Sequence, residues 1–251
     1  MSKQRRQLKE IGYPRRRILR SALRTFIRAA ITTLADIKVE GRENLPEDGP
    51  LLVVANHFSF IDPVALIHAT PWPLEFIGGA NRPHAPAWTK LLPAIWGYLP
   101  VYRGTTSLDT LRASERILSQ KGVLGIFPEA GSWAAVLRPP RPGAAFLAAR
   151  TEAQILPVGL INLTQVFPRL SKGRRAHVTV RIGEPFGPVS TTGRGRERRR
   201  QLDVISQRIM ERIADLLPPE KRGVYAEDPT IREAAQEVAE YPWGDEPDYK
   251  D

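Results

Sequence analysis

The clearest indication of the fold class lies in residues 51–63, which read Leu51-Leu52-Val53-Val54-Ala55-Asn56-His57-Phe58-Ser59-Phe60-Ile61-Asp62-Pro63. The first five residues of this stretch form a continuous apolar run bounded by turn residues, which is typical of a buried strand. At the other end, Asp62 followed by Pro63 predicts a helix, with aspartate as the N-cap and proline at the first helical position. The stretch therefore predicts a strand, a polar loop and a helix, the repeating unit of an α/β sheet.

The same alternation of strands and helices continues on both sides of this stretch, from residue 37 to residue 217. The sequence predicts strands at 37–40, 51–55, 74–77, 99–102, 123–127, 155–160 and 177–182. It predicts helices from Asp62 to before Pro71 and at 108–118, 144–150 and 202–217. We therefore expect an α/β fold with a mixed, largely parallel sheet flanked by helices.

Composition narrows the function classes further. The chain has 251 residues, enough for one α/β domain with an appendage, and it contains no cysteine. The lack of cysteine excludes disulfide scaffolds, zinc ribbons, iron–sulfur clusters and cysteine nucleophiles. No metal-ligand spacing is present, and no dinucleotide, phosphate-loop or serine-elbow motif is present. We expect neither a metal nor a resident cofactor.

Charge divides the chain into three segments. Residues 1–28 hold ten basic residues against one acidic residue, and residues 169–200 hold ten against two. Residues 223–251 hold nine acidic residues against two basic ones. We expect a basic amphipathic helix in 1–35, a folded domain in 36–217 and an acidic tail in 218–251 with one weak helix at 230–240. Basic segments of this kind favour an anionic partner, either nucleic acid or a lipid surface.

The N-terminal segment favours a lipid surface. From Pro14 onward, apolar residues cover one broad arc of the predicted helix, and arginines form a stripe beside it at Arg17, Arg20, Arg24 and Arg28. This pattern is typical of a helix in a membrane interface, with arginines on lipid phosphate. A surface helix packed on the core is the alternative, whereas a nucleic-acid arm has no supporting motif, so no nucleic acid is expected.

The loop after the central strand carries the candidate catalytic groups, His57 and Asp62. Five residues on a continuous helix separate side chains by about 140°, but a loop that feeds a helix can bring the two together. The carboxylate would then orient the imidazole, whose other nitrogen is free to take a proton from a hydroxyl. An N-cap aspartate beside an incidental histidine is the alternative that this spacing leaves open.

Four blocks of the sequence, in order, resemble those of the glycerolipid acyltransferases, the acylglycerol-phosphate acyltransferase family. The first block is Asn-His-x4-Asp, which stands complete at Asn56, His57 and Asp62. The other three blocks are Gly97-Tyr98-Leu99-Pro100-Val101-Tyr102-Arg103, Phe127-Pro128-Glu129-Ala130-Gly131-Ser132-Trp133 and Ile155-Leu156-Pro157-Val158-Gly159-Leu160. The resemblance covers roughly residues 36–190 and implies a glycerolipid acyltransferase-like fold.

The resemblance implies transfer of a fatty acyl group from a thioester, acyl-CoA or acyl-carrier protein, to a lysolipid hydroxyl. It makes His57 and Asp62 the catalytic pair. It also implies substrate-binding residues: Asn56 in the first block, Arg103 on a phosphate, Glu129 on the acceptor, and Gly131 and Ser132 in the third block, with amides near Gly131 as an oxyanion site. The thioester donor is a co-substrate, so no cofactor is implied.

The third block departs from the family pattern, because Gly131-Ser132 stands where the family has Thr-Arg. One phosphate-binding arginine is therefore missing, and Arg138 and Arg141 are candidate substitutes. Lysophosphatidic acid is the simplest acceptor. The alternatives are another lipid-linked hydroxyl, such as that of a glycolipid or lyso-ornithine lipid, or a non-catalytic basic protein that binds membrane or nucleic acid.

Lipid substrates imply work at a membrane, so we expect a peripheral protein on the cytoplasmic face of an anionic membrane. Neither a secretory signal nor an apolar run of the ~20 residues that a spanning helix needs is present in the sequence. Trp72, Trp88 and Trp96 are candidates for the headgroup level, with core packing as the alternative for each.

Overall fold

The predicted strand Leu51–Ala55 lies at the centre of a sheet in the computed structural model, which describes residues 11–79, 91–101 and 108–240. Within these residues the sheet has seven strands: β1 Ala35–Glu40, β2 Leu51–Ala55, β3 Glu75–Gly79, β4 Leu99–Val101, β5 Val123–Ile126, β6 Gln154–Ile161 and β7 Ala176–Ile182. Their order across the sheet is β1-β7-β6-β2-β5-β3-β4.

Neighbouring strands run parallel except for β6 and β7, which pair antiparallel. Val53 of β2 lies between Gly125 of β5 and Leu156 of β6. All five residues of β2 are buried, because helices cover both faces of a parallel sheet. The prediction of a mixed, largely parallel sheet flanked by helices is therefore confirmed. Since β2, β5 and β6 are parallel, their carboxyl ends share one edge of the sheet.

The helices are α1 Arg17–Leu34, α2 Asp62–Ala69, α3 Leu91–Trp96, α4 Leu108–Ser119, α5 Gly143–Thr151, α6 Val166–Leu170, α7 Gly195–Ala214 and α8 Pro229–Glu237. Short 3₁₀ turns lie at Arg42–Asn44, Leu163–Gln165, Pro219–Lys221 and Gly223–Tyr225. Two predicted starts were wrong. Helix α1 begins at Arg17, because Arg16 has a left-handed backbone (φ 49°), and α7 begins at Gly195, so it includes the basic run to Arg200.

Successive side chains of each strand point to opposite faces of the sheet and are buried in different cores. Val53 and Ala55 point toward α1 and α2, where Ile27, Ile31 and Leu66 join them in one core. Leu52 and Val54 point to the opposite face, where the core is completed by α4, α5 and α7. This alternation of successive side chains fixes the sheet between two helical layers.

Helix α1 packs on the core, which is the alternative interpretation, and it turns two of its four arginines inward while Arg17 and Arg28 stay exposed. Arg20 is 1% exposed and forms an ion pair with the fully buried Glu75 of β3, while Arg24 donates to backbone carbonyls, among them that of Thr70 at 3.1 Å. The prediction that these arginines lie on lipid phosphate was wrong for both, because Glu75 and the open carbonyls draw them inward. The outward face instead carries Ile18 and Phe26, which are 87% and 69% exposed.

The acidic tail begins as packed structure. Leu137 donates its amide to the carbonyl of Lys221 at 3.0 Å, and Gly223 lies so close to Leu137 that a β-carbon there would be 2.0 Å from the Leu137 carbonyl. Residues 218–240 therefore pack on the domain, and α8 begins at Pro229, one residue before the predicted 230–240 region, and ends within it at Glu237. The rest of the tail, 241–251, lies outside the described residues.

Two of the three tryptophans that were predicted at the headgroup level are buried. Trp72 and Trp96 are buried in the core, which is the alternative reading, and Trp88 lies outside the described residues. In the part of the chain that the structure describes, none of the helices combines the length and hydropathy that a membrane crossing requires.

Candidate active site

The loop between β2 and α2 folds back on itself around the Asp62 carboxylate. Oδ2 of Asp62 lies 2.8 Å from Nδ1 of His57 and accepts the backbone amides of Phe58 and Ser59, each also at 2.8 Å. Asp62 is the first residue of α2 rather than its N-cap, which is Ile61. The N-cap prediction was wrong because the carboxylate turns toward the preceding loop.

This geometry fixes the roles of the two imidazole nitrogens. Oδ2 of Asp62 accepts two backbone amides, so it carries no proton of its own and acts as an acceptor toward His57 as well. Nδ1 of His57 therefore donates its proton to Asp62, and Nε2 is left as the basic nitrogen. Burial raises the pKa of Asp62, whereas the hydrogen bonds from His57, Ser59 and Phe58 oppose that rise. The His57 ring stacks on Phe127 with centroids 4.2 Å apart and remains 19% exposed, so the base is reachable.

Asn56 does not bind substrate. Its side chain is completely buried and forms a reciprocal pair with the backbone of Leu160 in β6, accepting the Leu160 amide at 2.7 Å and donating to its carbonyl at 2.9 Å. Both of these hydrogen bonds of the side-chain amide are therefore directed into the sheet. The substrate-binding prediction for Asn56 was wrong, and the residue instead fastens the start of the His57 loop to β6.

Glu129 follows β5 and is 2% exposed, so it does not contact the acceptor as predicted. Its Oε1 accepts the backbone amide of His57 at 2.8 Å, and its Oε2 accepts the amide of Arg138 at 3.1 Å. Burial raises its pKa to about 8, against the attraction of the Arg138 guanidinium. Glu129 thus ties the loop after β5 to the loop after β2 and positions His57 from beneath.

Arg138 is also buried, at 1% exposure, and the prediction that it replaces the missing phosphate-binding arginine was wrong. Its guanidinium lies 3.4 Å from Glu129, donates to the Gly131 carbonyl and stacks 3.6 Å above the ring of Trp133. The Gly131 carbonyl, the Glu129 carboxyl and the face of the Trp133 indole together offset the cost of burying the Arg138 charge. Its role is internal to the loop.

Gly131, Ser132, Arg141 and Arg103 remain predicted substrate-binding residues. Gly131 and Ser132 are half-buried beside this loop, with the Gly131 carbonyl taken by Arg138. Arg141 is exposed, and its amide donates to the Pro128 carbonyl at 2.8 Å. Arg103 lies outside the described residues.

Sequence reasoning missed Trp133 and the C-terminal segment as parts of the site. The Trp133 indole donates to the carbonyl of Val238 at 3.1 Å, so α8 and its end support the third block from outside. A tryptophan in that block was the available signal. The contact joins residues 105 positions apart, and no periodicity reports such a pairing.

A cavity of about 350 Å³ lies beside the catalytic loop at the carboxyl end of β6. Its lining includes Phe58 and Asp62 from the catalytic loop, and also Gln165, Arg169 and Lys221. Among the described residues, no group of three or more histidine, aspartate or glutamate side chains is placed to hold a metal ion.

Comparison with known proteins agrees with the geometry. A 1-acyl-sn-glycerol-3-phosphate acyltransferase of Chlamydomonas reinhardtii is 26% identical over 195 residues, covering 74% of this chain and 54% of that protein. The enzyme of the same name from Borreliella burgdorferi is 27% identical over 141 residues, covering 53% of this chain and 55% of that protein. The chain thus spans about half the length of the curated relatives that it matches.

The fold has a counterpart among solved structures. The 1-acyl-sn-glycerophosphate (LPA) acyltransferase PlsC from Thermotoga maritima superimposes with a TM-score of 0.55 at 22% identity, covering 80% of this chain and 83% of that one. The family model named Acyltransferase matches residues 36–161, which is half of the chain and includes β2, β5, β6 and the loops that hold His57, Asp62 and Glu129. By that match the chain belongs to the acyltransferase family.

Proposed function

We propose that this protein transfers a fatty acyl group from a thioester to the hydroxyl of a lysophospholipid, most simply converting lysophosphatidic acid to phosphatidic acid. The observation that carries the proposal is the 2.8 Å pair of His57 Nδ1 and Asp62 Oδ2 at the carboxyl edge of the sheet. An α/β fold commonly places its chemistry at this edge. An oriented, reachable imidazole is the group that such a transfer needs.

The reaction proceeds through one tetrahedral intermediate. Nε2 of His57 takes the hydroxyl proton as the acceptor oxygen attacks the thioester carbonyl, and Asp62 stabilises the imidazolium that forms. The intermediate collapses as the carbon–sulfur bond breaks, and the imidazolium returns the proton to the departing thiolate. A positioned base of this kind contributes on the order of 10²–10⁴-fold to the rate. The donor is acyl-CoA or acyl-carrier protein, a co-substrate in either case.

The acceptor assignment draws on the names of the relatives, which act on 1-acyl-sn-glycerol 3-phosphate. A second candidate acceptor is another lipid-linked hydroxyl, such as that of a glycolipid or lyso-ornithine lipid. The observation in its favour is the third block, where Ser132 replaces the family arginine and Arg138 is buried.

We further propose that the protein acts as a peripheral protein on an anionic membrane, at its cytoplasmic face. The outward face of α1 supports this, because Ile18, Leu19 and Phe26 are exposed there. Arg20 and Arg24, which lie between Leu19 and Phe26 in the chain, turn inward to Glu75 and to the Thr70 carbonyl. An apolar helix face of this kind inserts shallowly at the headgroup boundary. The basic N-terminal segment supplies the matching positive charge.

The deciding experiment is an assay of purified protein with a panel of lysolipids against acyl-CoA and acyl-carrier protein donors. We expect product with at least one pair in the wild type and none above background with His57→Ala. Lys38→Ala, an exposed residue of β1, serves as a matched control and should retain full activity. If His57→Ala keeps near-normal turnover while remaining folded, the proposed mechanism is wrong. If the wild type gives no product with any pair, a non-catalytic binding role gains support.

A further inference from the structure

The cavity beside the catalytic loop has an unbalanced positive charge. It is lined by Arg169 of α6 and Lys221, and neither side chain has a hydrogen bond or ion pair with any residue that the structure describes. His177 also lines it but pairs with Asp36 at 2.8 Å. Asp62 is the one carboxylate among the described lining residues, and its charge is already engaged by His57. Among the residues that the structure describes, these two cations therefore have no anionic partner of their own.

Two exposed aromatic rings lie next in sequence to residues that line this cavity. Phe60, from the catalytic loop, stacks on Phe167 of α6 with ring centroids 5.3 Å apart, and the two residues are 39% and 40% exposed. Phe60 lies between Phe58 and Asp62 in the chain, and Phe167 lies between Gln165 and Arg169, and these four neighbours all line the cavity. Exposed aromatic rings next to cations are typical of surfaces that meet the boundary between headgroups and acyl chains.

A cationic cavity beside an exposed pair of aromatic rings fits an anionic amphiphile. Phosphate is the group that an arginine and a lysine together neutralise, through the forked guanidinium and the ammonium point charge. A cavity of about 350 Å³ admits a glycerol phosphate head group. The adjacent rings then offer a surface for the first methylenes of the single acyl chain. Phe58 and Asp62 of the catalytic loop line the cavity, so a head group bound there lies beside that loop.

We propose that Arg169 and Lys221 bind the phosphomonoester of the acceptor head group, with Phe60 and Phe167 contacting its acyl chain. This inference rests on the proposed acyl transfer and names the acceptor's anchor. Ser132 stands where the family has a phosphate-binding arginine, and Arg138 is buried. The phosphate-binding role then falls to Arg169 and Lys221, which lie outside the matched region 36–161. Lys221 reaches the cavity because the Leu137 amide holds its carbonyl, so the C-terminal segment completes the site.

The test is steady-state kinetics of Arg169→Gln, Lys221→Gln and the double variant. We expect KM for lysophosphatidic acid to rise roughly 10-fold or more in each single variant and further in the double variant, with kcat and KM for acyl-CoA within about 2-fold. Arg169→Lys should recover part of the loss. Lys172→Gln, an exposed lysine that does not line the cavity, is the matched control. With an uncharged monoacylglycerol acceptor, the variants and the wild type should not differ.

Two kinetic outcomes overturn the inference. An unchanged KM for lysophosphatidic acid shows that the cavity does not hold its phosphate. A rise confined to KM for acyl-CoA assigns the cations to a donor phosphate instead.

Direct binding separates this inference from the proposed function. Calorimetric titration of the purified protein with lysophosphatidic acid, below its aggregation range, needs no turnover. If the wild type binds the lipid, transfers no acyl group and loses binding in Arg169→Gln, the cavity assignment holds and the catalytic proposal fails. If it transfers acyl groups and Arg169→Gln binds the lipid as tightly as the wild type, the cavity assignment fails alone.

Discussion

Oε1 of Glu129 accepts the backbone amide of His57 at 2.8 Å, and this bond joins the loops that follow two parallel strands. The first loop carries the base and the second carries the altered block of the family pattern. Because Oε2 of the same carboxyl accepts the Arg138 amide at 3.1 Å, one buried side chain holds both loops. The position of the base thus depends on a residue that does not contact substrate.

Replacing Glu129 should therefore lower kcat rather than raise KM. Glu129→Ala leaves the backbone amides of His57 and Arg138 without their acceptor, so we expect a free energy of unfolding lower by about 2–5 kcal/mol. Glu129→Gln retains one carbonyl oxygen for the His57 amide, and we expect kcat within roughly 10-fold of the wild type, with stability within about 1–2 kcal/mol. Kinetics together with urea unfolding check both variants. A Glu129→Gln variant with normal kcat and a raised acceptor KM would return Glu129 to the acceptor site.

Stability should fall as pH rises between about 4.5 and 8. Burial raises the pKa of Glu129 from 4.5 to about 8, so across this window the folded state holds a proton that the unfolded state has released. Folding is then coupled to proton uptake, and stability is lost by up to about 1.4 kcal/mol per pH unit from this one group. Urea unfolding at a series of pH values measures the slope. Glu129→Gln should have a flatter profile, and an equal slope in both proteins contradicts the linkage.

Asp62→Asn should weaken catalysis without changing the tautomer of His57. The amides of Phe58 and Ser59 both point at Oδ2, so the amide oxygen of asparagine takes that position and still accepts the Nδ1 proton. The negative charge opposite the imidazolium is lost, and we expect kcat to fall on the order of 10²-fold. The new amide group occupies the place of Oδ1, which is buried without a described partner, and should cost about 1–3 kcal/mol of stability.

Nitrogen NMR of the imidazole distinguishes the two possibilities for Asp62→Asn. If the proton remains on Nδ1, the loss of activity is electrostatic, as expected. A proton found on Nε2 shows that the asparagine amide donates to the ring, and the reasoning from the two backbone amides is then wrong.

Ala130→Gly should stabilise the protein. Ala130 has a φ of 60°, in the left-handed region that disfavours residues with a β-carbon. Relief of this strain exceeds the added flexibility of the unfolded chain, so we expect a gain of roughly 0.5 kcal/mol and a rise in Tm of about 1–2 °C. Ala135→Gly is the control in the same loop, where φ is not positive, and it should lower Tm. Equal losses in both variants contradict the strain.

The fold was predictable because its signal is local. The run Leu51–Ala55 and the spacing of His57 and Asp62 are visible in adjacent residues, and the structure places both as the sequence indicates. The direction of polar side chains was not predictable. Asn56 turns into β6, 104 residues away, and Arg20 turns toward Glu75, 55 residues away. Sequence patterns report the residue types that a site needs, but burial depends on partners that only the folded chain brings together.

Membrane binding should depend on the outward face of α1. Phe26→Gln removes an exposed aromatic ring from that face, and transfer of such a ring to an apolar phase is worth about 1.5–3 kcal/mol. We therefore expect binding to vesicles of phosphatidylglycerol and phosphatidylethanolamine to weaken by roughly 10–100-fold. Val204→Gln removes an equally isolated apolar residue, 62% exposed on α7, and should leave vesicle binding unchanged. Sedimentation with vesicles measures both, and equal binding of Phe26→Gln and the wild type shows that α1 does not contact the bilayer.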